Sequence, residues 1–184
     1  MVAALWPKHI RIAVNVSAVQ LNNRSFVQAV LERAARAGLE PGRIELEITE
    51  SSIVNDNVST RLVLDELRRA GVRIALDDFG TGYSSMVQVR ELPIDKLKLD
   101  RSFVAGLNGE RAEASRSIIS SLLHLCSLMN LSVTAEGIET ALELDVLRQL
   151  GCPSAQGYLF SKPVDATRID EVIHTHYASL VSFA

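Results

Sequence analysis

With 184 residues, 47% of them hydrophobic and 22% charged, the chain is long enough for one sizeable core and shows no composition break that would divide it. A net charge of -3 argues against the basic groove that a nucleic-acid polymer needs, while a phosphate ligand stays open if a metal ion mediates. No apolar run reaches the length of a membrane span and no signal-like segment opens the chain; a cytoplasmic location is expected, with Cys126 and Cys152 as reduced thiols outside any metal or redox spacing.

Taken in order, short apolar runs predict strands at "IRIAVNVS" (10–17), "IELEIT" (44–49), "VRIALDD" (72–78), "DKLKLD" (95–100), "LSVTAEG" (131–137) and "AQGYLF" (155–160). Helical spacing fills the intervals. In "FVQAVLERAARAGL", Phe26, Val30, Leu31 and Ala34 share a face and Gly38 is the stop. "TRLVLDELRRAG" repeats the design around Leu64 and Leu67 and closes on Gly71. The longer "EASRSIISSLLHLCSLMN" closes on Asn130, and "ALELDVLRQLG" on Gly151. Four times a helix ends in Gly or Asn and a strand follows. This βα repeat predicts parallel strands, in a doubly wound sheet or in a (β/α)₈ barrel. Six strands favour the open sheet on length; the placement of polar residues favours the barrel.

Those polar residues sit at successive strand ends. Asn15 ends the first strand, Glu47 the second, and Asp77 and Asp78 the third. Lys98 lies in the fourth, Glu136 ends the fifth and Gln156 begins the sixth. Each has a plainer reading. Asn15 could form a turn, Glu47 could face solvent, Lys98 could snorkel, and Glu136 or Glu139 could cap the next helix, the more natural role for Glu139. Unpaired buried charges cost several kcal/mol each, roughly, so a set of them at one end of a sheet needs a common partner. Carboxylates with an amide oxygen make a hard oxygen cage suited to Mg²⁺ or Mn²⁺, and a bridging Asp would permit two ions. In "RIALDDFGTGYSS" the strand is expected to end at Asp77 and turn, so that both acids face the same cations. His124, His174 and His176 read as surface or packing residues.

At this point six motifs in order, "AVNVS", "ELEITES", "ALDDFGTGYSS", "LKLDRSFV", "AEGIET" and "QGYLFSKP", resemble the EAL domain, the bacterial cyclic-di-GMP phosphodiesterase module of bacterial signalling. The motif region runs from about residue 10 to 163 of a single domain spanning 1–184. The resemblance implies a TIM-like (β/α) barrel with one antiparallel strand, and metal-dependent hydrolysis of cyclic-di-GMP to linear pGpG. Carried over by motif, Asn15, Glu47, Asp77 and Asp78 resemble metal ligands, Asp77 being the bridge. Lys98 and Glu136 resemble the pair that positions or deprotonates the attacking water. Gln156 resembles the contact to a metal-bound water, and Glu50 the anchor of the substrate-side loop Phe79, Gly80, Thr81 and Gly82, which is implied to couple dimerisation to metal and substrate.

The Glu-Ala-Leu motif of the family is absent, and no acid precedes Asn15; the first is Glu32. Against the family pattern the six strands are the last six of eight, so an incomplete barrel with open edges is expected. A homodimer, another self-association, or sensor or GGDEF domains in a longer parent protein are the expected partners. "MVAALWP" either covers the gap or is the end of a preceding helix, the reading preferred here. Weak Mg²⁺ or Mn²⁺ binding and slow or absent hydrolysis are expected of these residues alone. The rival reading is an inactive EAL-like module that binds cyclic-di-GMP or a protein. A phosphoacceptor receiver fits poorly, because its acid pair would end the first strand and its lysine the fifth.

Overall fold

The computed structural model describes residues 2–53, 58–81, 86–109 and 111–180. Six strands form one sheet: β1 (Ile12–Val16), β2 (Ile44–Thr49), β3 (Arg73–Phe79), β4 (Lys96–Leu99), β5 (Ser132–Ala135) and β6 (Ser154–Ala155). The helices between and after them are α1 (Ala18–Leu21), α2 (Ser25–Arg36), α3 (Glu50–Ile53), α4 (Val58–Arg69), α5 (Met86–Glu91), α6 (Arg101–Ala105), α7 (Ala112–Leu128), α8 (Ala141–Gln149) and α9 (Ile169–Leu180). Every strand pairs in parallel with the next, in the order β1-β2-β3-β4-β5-β6. A doubly wound sheet reverses its order at a switch point. This one never does, so the winding is that of a barrel, and six strands make it an incomplete TIM-like barrel.

The helix stops read from the sequence all operate. Gly38, Gly71, Asn130 and Gly151 have φ of 65°, 94°, 56° and 78°, the left-handed region that glycine and asparagine tolerate best. After each stop the next amide reaches back into the helix: Leu39 to Ala34 O, Val72 to Leu67 O, Leu131 to Cys126 O and Cys152 to Leu147 O, at 2.9–3.0 Å. This six-to-one bond satisfies carbonyls a helix end would otherwise leave open, and it turns the chain straight into the following strand.

The two faces of the sheet differ. Ile44, Leu46 and Ile48 of β2, Ile74 and Leu76 of β3, Leu97 and Leu99 of β4, and Val133 of β5 join the apolar core with residues of the helices. Since strand neighbours point to opposite faces, the other face carries Glu45 and Glu47, Ala75 and Asp77, Lys96 and Lys98, and Thr134. Those glutamates, Lys98 and Thr134 are buried. "ELEIT" therefore alternates between helices and barrel interior, not between core and solvent. Ion pairs span this inner face: Lys96 Nζ lies 2.7 Å from Glu45 Oε1, reaching from β4 to β2 past the intervening β3. Ala75, in register with Glu47 on one side and Lys96 on the other, has no long side chain to block that reach.

β1 is an edge strand, with Asn15 exposed and Val14 45% exposed. A cavity of about 280 Å³ opens between β1 and α2, lined by Ile12, Val14, Phe26, Val30, Ala34 and Leu46. The N-terminal segment does not cover this edge. Val2–Leu5 forms a short 3₁₀ turn whose Ala3 carbonyl accepts from Arg43 Nη2 at 2.8 Å, while Arg43 Nε donates to Ile10 O at 2.9 Å. The buried Arg43 thus pins the segment across the amino ends of β1 and β2. Among the described residues no helix is long and apolar enough to cross a membrane.

Two sequence expectations need correction. The sixth strand pairs over only Ser154 and Ala155, so Gln156 follows it instead of beginning it. The cap of α8 is Thr140, not Glu139: Thr140 Oγ1 accepts from the Glu143 amide and the Glu143 carboxylate accepts from the Thr140 amide, a reciprocal capping box. Just beyond β6, Gly157 lies so close to Ile138 that a Cβ would collide with its main chain. That contact holds the Ile138 N–H on Gln156 O and the Leu159 N–H on Ile138 O, each at 3.0 Å. Gly157→Ala is expected to cost about 3 kcal/mol of stability, read from the urea midpoint; an unchanged midpoint would contradict this packing.

Candidate active site

The sheet delivers its acids to one place through a fault in β3. Register with β4 shifts between Leu76 and Phe79, and Asp78 takes φ 55°. A regular strand would send Asp77 and Asp78 to opposite faces; an extra residue in left-handed geometry bends the strand and re-aims its side chain. Aspartate is among the few residues that accept this conformation at modest cost. The Asp78 amide donates to Asp77 Oδ1 at 3.1 Å, and the Asp78 carbonyl accepts from the amide and hydroxyl of Thr81. As a result, carboxylate oxygens of Asp77, Asp78 and Glu136 lie within 4.8 Å of one another.

Lys98 occupies the centre. Its Nζ is 2.8 Å from Glu47 Oε1, 3.0 Å from Asp77 Oδ1 and 2.7 Å from Glu136 Oε1, and its side chain is 5% exposed. One residue on β4 therefore gathers the ends of β2, β3 and β5. Burial alone would lower the lysine pKa, but hydrogen bonds to Glu136, Glu47 and Asp77 reverse this and hold it above its ordinary value. Glu136 is raised, chiefly by burial and further by Asp77 and Glu47, against the opposing pull of Lys98. Asp78 is raised by burial, then by Asp77 and Asp100, with Lys98 acting in the opposite sense.

Around this cluster the other sequence-selected residues fall at different distances. Asn15 is the register partner of Glu47, next to the cluster but exposed on the edge strand. Gln156 lines a recess of about 360 Å³ together with Asp78 and Glu136. Glu50, at the start of α3, accepts from the Gly80 amide at 3.1 Å and so ties the end of β2 to the turn after β3. Its second oxygen is buried without a hydrogen-bond partner among the described residues. Phe79, expected in the substrate-side loop, instead belongs to β3 and packs in the core. Gly80 and Thr81 begin the exposed turn, where a Cβ on Gly80 would strike the Phe103 ring. Gly82 lies outside the described residues.

Sequence reasoning missed Asp100, Arg101, Gly137, Gly157 and Tyr158, which also line the recess. Asp100 follows β4 directly and caps α6, accepting from the Ser102 amide at 2.9 Å. A hydrogen bond with the Ser102 side chain, then those from the Ser102 and Arg101 amides and the charge of Arg101, lower its pKa against the opposing effect of burial. The signal available was its position, one residue past a strand end as with Glu136.

The donor set fits a divalent cation. Three carboxylates converge at the carboxyl ends of strands, with Glu47 and the Asn15 amide next to them, all hard oxygen donors of the kind Mg²⁺ and Mn²⁺ prefer. Strand carboxyl ends are also where barrel enzymes build their sites.

The comparisons agree with the fold. Residues 2–163 match the family model described as the EAL domain. Among curated relatives, the bifunctional diguanylate cyclase/cyclic di-GMP phosphodiesterase MucR of Pseudomonas aeruginosa is 39% identical over 158 residues, covering 86% of this chain and 23% of that protein. Among solved structures, the EAL domain of Mycobacterium smegmatis DcpA superposes with a TM-score of 0.84 at 40% identity, covering 90% of this chain and 74% of that one. A manganese/cyclic-di-GMP complex of Klebsiella pneumoniae BlrP1 gives a TM-score of 0.76 at 31% identity, covering 83% and 39%. The chain belongs to the EAL domain family. It spans about a fifth of the length of the curated relatives it matches.

The bulge makes a testable demand on residue 78. Asp78→Asn keeps a side chain that accepts left-handed geometry, whereas Asp78→Ala does not. The alanine variant should be less stable than the asparagine variant by about 1 kcal/mol in urea denaturation; equal stability would argue against the bulge.

Proposed function

We propose that this chain is a cyclic-di-GMP phosphodiesterase domain that uses divalent metal to open the cyclic dinucleotide to linear pGpG. The observation that carries this reading is the convergence of Asp77, Asp78 and Glu136 within 4.8 Å, beside a buried lysine and an open recess. The name of MucR and the ligands of the BlrP1 complex support the same substrate and manganese for this site.

In this reading Asp77, Asp78, Glu47 and Asn15 would hold Mg²⁺ or Mn²⁺. When bound, divalent metal supplies positive charge against the phosphate oxygens and makes water more acidic. Glu136 accepts the proton of the attacking water, a role for which a carboxylate with a raised pKa is better suited than an ordinary one. Water oxygen bonds to phosphorus, the P–O3′ bond breaks, and the 3′ oxygen leaves with a proton. Lys98, 2.7 Å from Glu136, orients that carboxylate and offsets the negative charge that gathers at phosphorus. Gln156 faces the recess as a contact for bound water, and Glu50 holds the Gly80 turn against the end of β2.

Cyclic-di-GMP as substrate implies a cytoplasmic location. The unpaired edge of β1 and its apolar cavity favour self-association as a dimer, and relatives several times longer favour a parent protein with GGDEF or sensor domains. A second reading is a module that binds the dinucleotide and signals without cleaving it; the exposure of Asn15 on the edge strand, apart from the buried acids, favours it.

Residues 1–184 incubated with cyclic-di-GMP and Mn²⁺ should release pGpG slowly on chromatography. Asp77→Asn or a chelator should cut that rate by about 100-fold or more. Dinucleotide binding with no pGpG at any Mn²⁺ concentration would favour the second reading.

A further inference from the structure

Lys98 raises a question that its part in hydrolysis does not answer. Its ammonium contacts carboxylates from three separate strand ends, at 2.7–3.0 Å, and two of them, Glu47 and Asp77, are oxygens that a divalent ion would use. The lysine stem is fixed, because Leu97 and Leu99 on either side are fully buried against the helices. The three partners are also largely withdrawn from water, with side chains 10%, 13% and 17% exposed. Without a cation among them, carboxylates so close would repel one another.

We propose that Lys98 is the internal counter-ion of this cluster, holding Glu47, Asp77 and Glu136 together before a divalent cation binds and giving way to that cation as it enters. The inference rests on the metal-dependent reading above and assigns the lysine a role in loading the site as well as in turnover. A cation bound at about 2.1 Å from an oxygen that also contacts the ammonium lies within about 5 Å of that ammonium. Like charges at such a separation, partly shielded from water, oppose each other strongly. The lysine therefore keeps the metal-free cage assembled at the expense of metal affinity. Lys96 gives an internal comparison: it pairs with Glu45 one layer further from the strand ends and touches none of the three.

The test is Mn²⁺ titration followed by electron paramagnetic resonance of the free ion. Lys98→Met should bind Mn²⁺ at least about 10-fold more tightly than the unaltered chain, while Lys96→Met should match the unaltered chain. Metal-free Lys98→Met should melt at a lower temperature and recover on adding Mn²⁺. Equal or weaker Mn²⁺ binding by Lys98→Met would overturn the inference while leaving the metal reading intact; no Mn²⁺ binding by either protein would remove both. Should Lys98→Met fail to fold without metal, the unaltered chain decides the matter through the ¹⁵N resonance of the Lys98 ammonium. That resonance should shift on saturation with Mg²⁺, and an unmoved resonance would refute the displacement.

Discussion

The inner face of this sheet carries charge where most barrels carry packed aliphatic side chains, and the structure depends on how that charge is neutralised. Glu45, Glu47 and Lys98 are all buried. Removing a single carboxylate or ammonium from water is unfavourable by several kcal/mol, roughly, unless a partner is placed within hydrogen-bond reach. β4 provides both partners, Lys96 for Glu45 and Lys98 for Glu47, and the small Ala75 on the strand between leaves the path open. The outer face meanwhile supplies stability in the ordinary way, through valine, leucine and isoleucine packed under the helices. The two faces divide the work: one holds the strands in place, the other spends that rigidity on gathering charges of the same sign.

Function enters where the strands end. The bulge at Asp78 turns a strand that would split its two acids into one that brings both to Glu136. Glu50 then secures the turn after β3, and Asp100, by capping α6, fixes the wall of the recess opposite. Each of these devices is local, a bulge, an anchor or a cap, and each sits at the rim, apart from the helix-packed core except where Phe79 follows the bulge. This separation lets the barrel tolerate strained geometry at its rim.

Much of the fold was legible because its signals are local. Gly38, Gly71, Asn130 and Gly151 end helices through a backbone angle few other residues accept, and apolar alternation marks β2 and β4 unambiguously. The gathering of Glu47, Asp77, Lys98 and Glu136 was also legible, since polar residues recurred at the ends of a parallel repeat. What escaped depends on contacts between distant segments. Phe79 looked like the start of a glycine-rich loop but extends β3 into the core, and "AQGYLF" looked like a full strand but pairs over two residues. The left-handed Asp78 could not be read either, since a sequence shows two adjacent acids but not the register shift that aims them together. Asp100 was hidden by its cap role, a duty that a short acidic side chain at a helix start performs in most proteins.

The central claim is that side chains from separate strands form one divalent-cation site at the mouth of this incomplete barrel. The most direct measurement is the anomalous difference map of a crystal soaked in manganese. The account requires a peak bounded by Asp77, Asp78 and Glu136, with Glu47 turned toward it. A map with no peak at that cluster, at manganese concentrations that fill other sites on the surface, would contradict it.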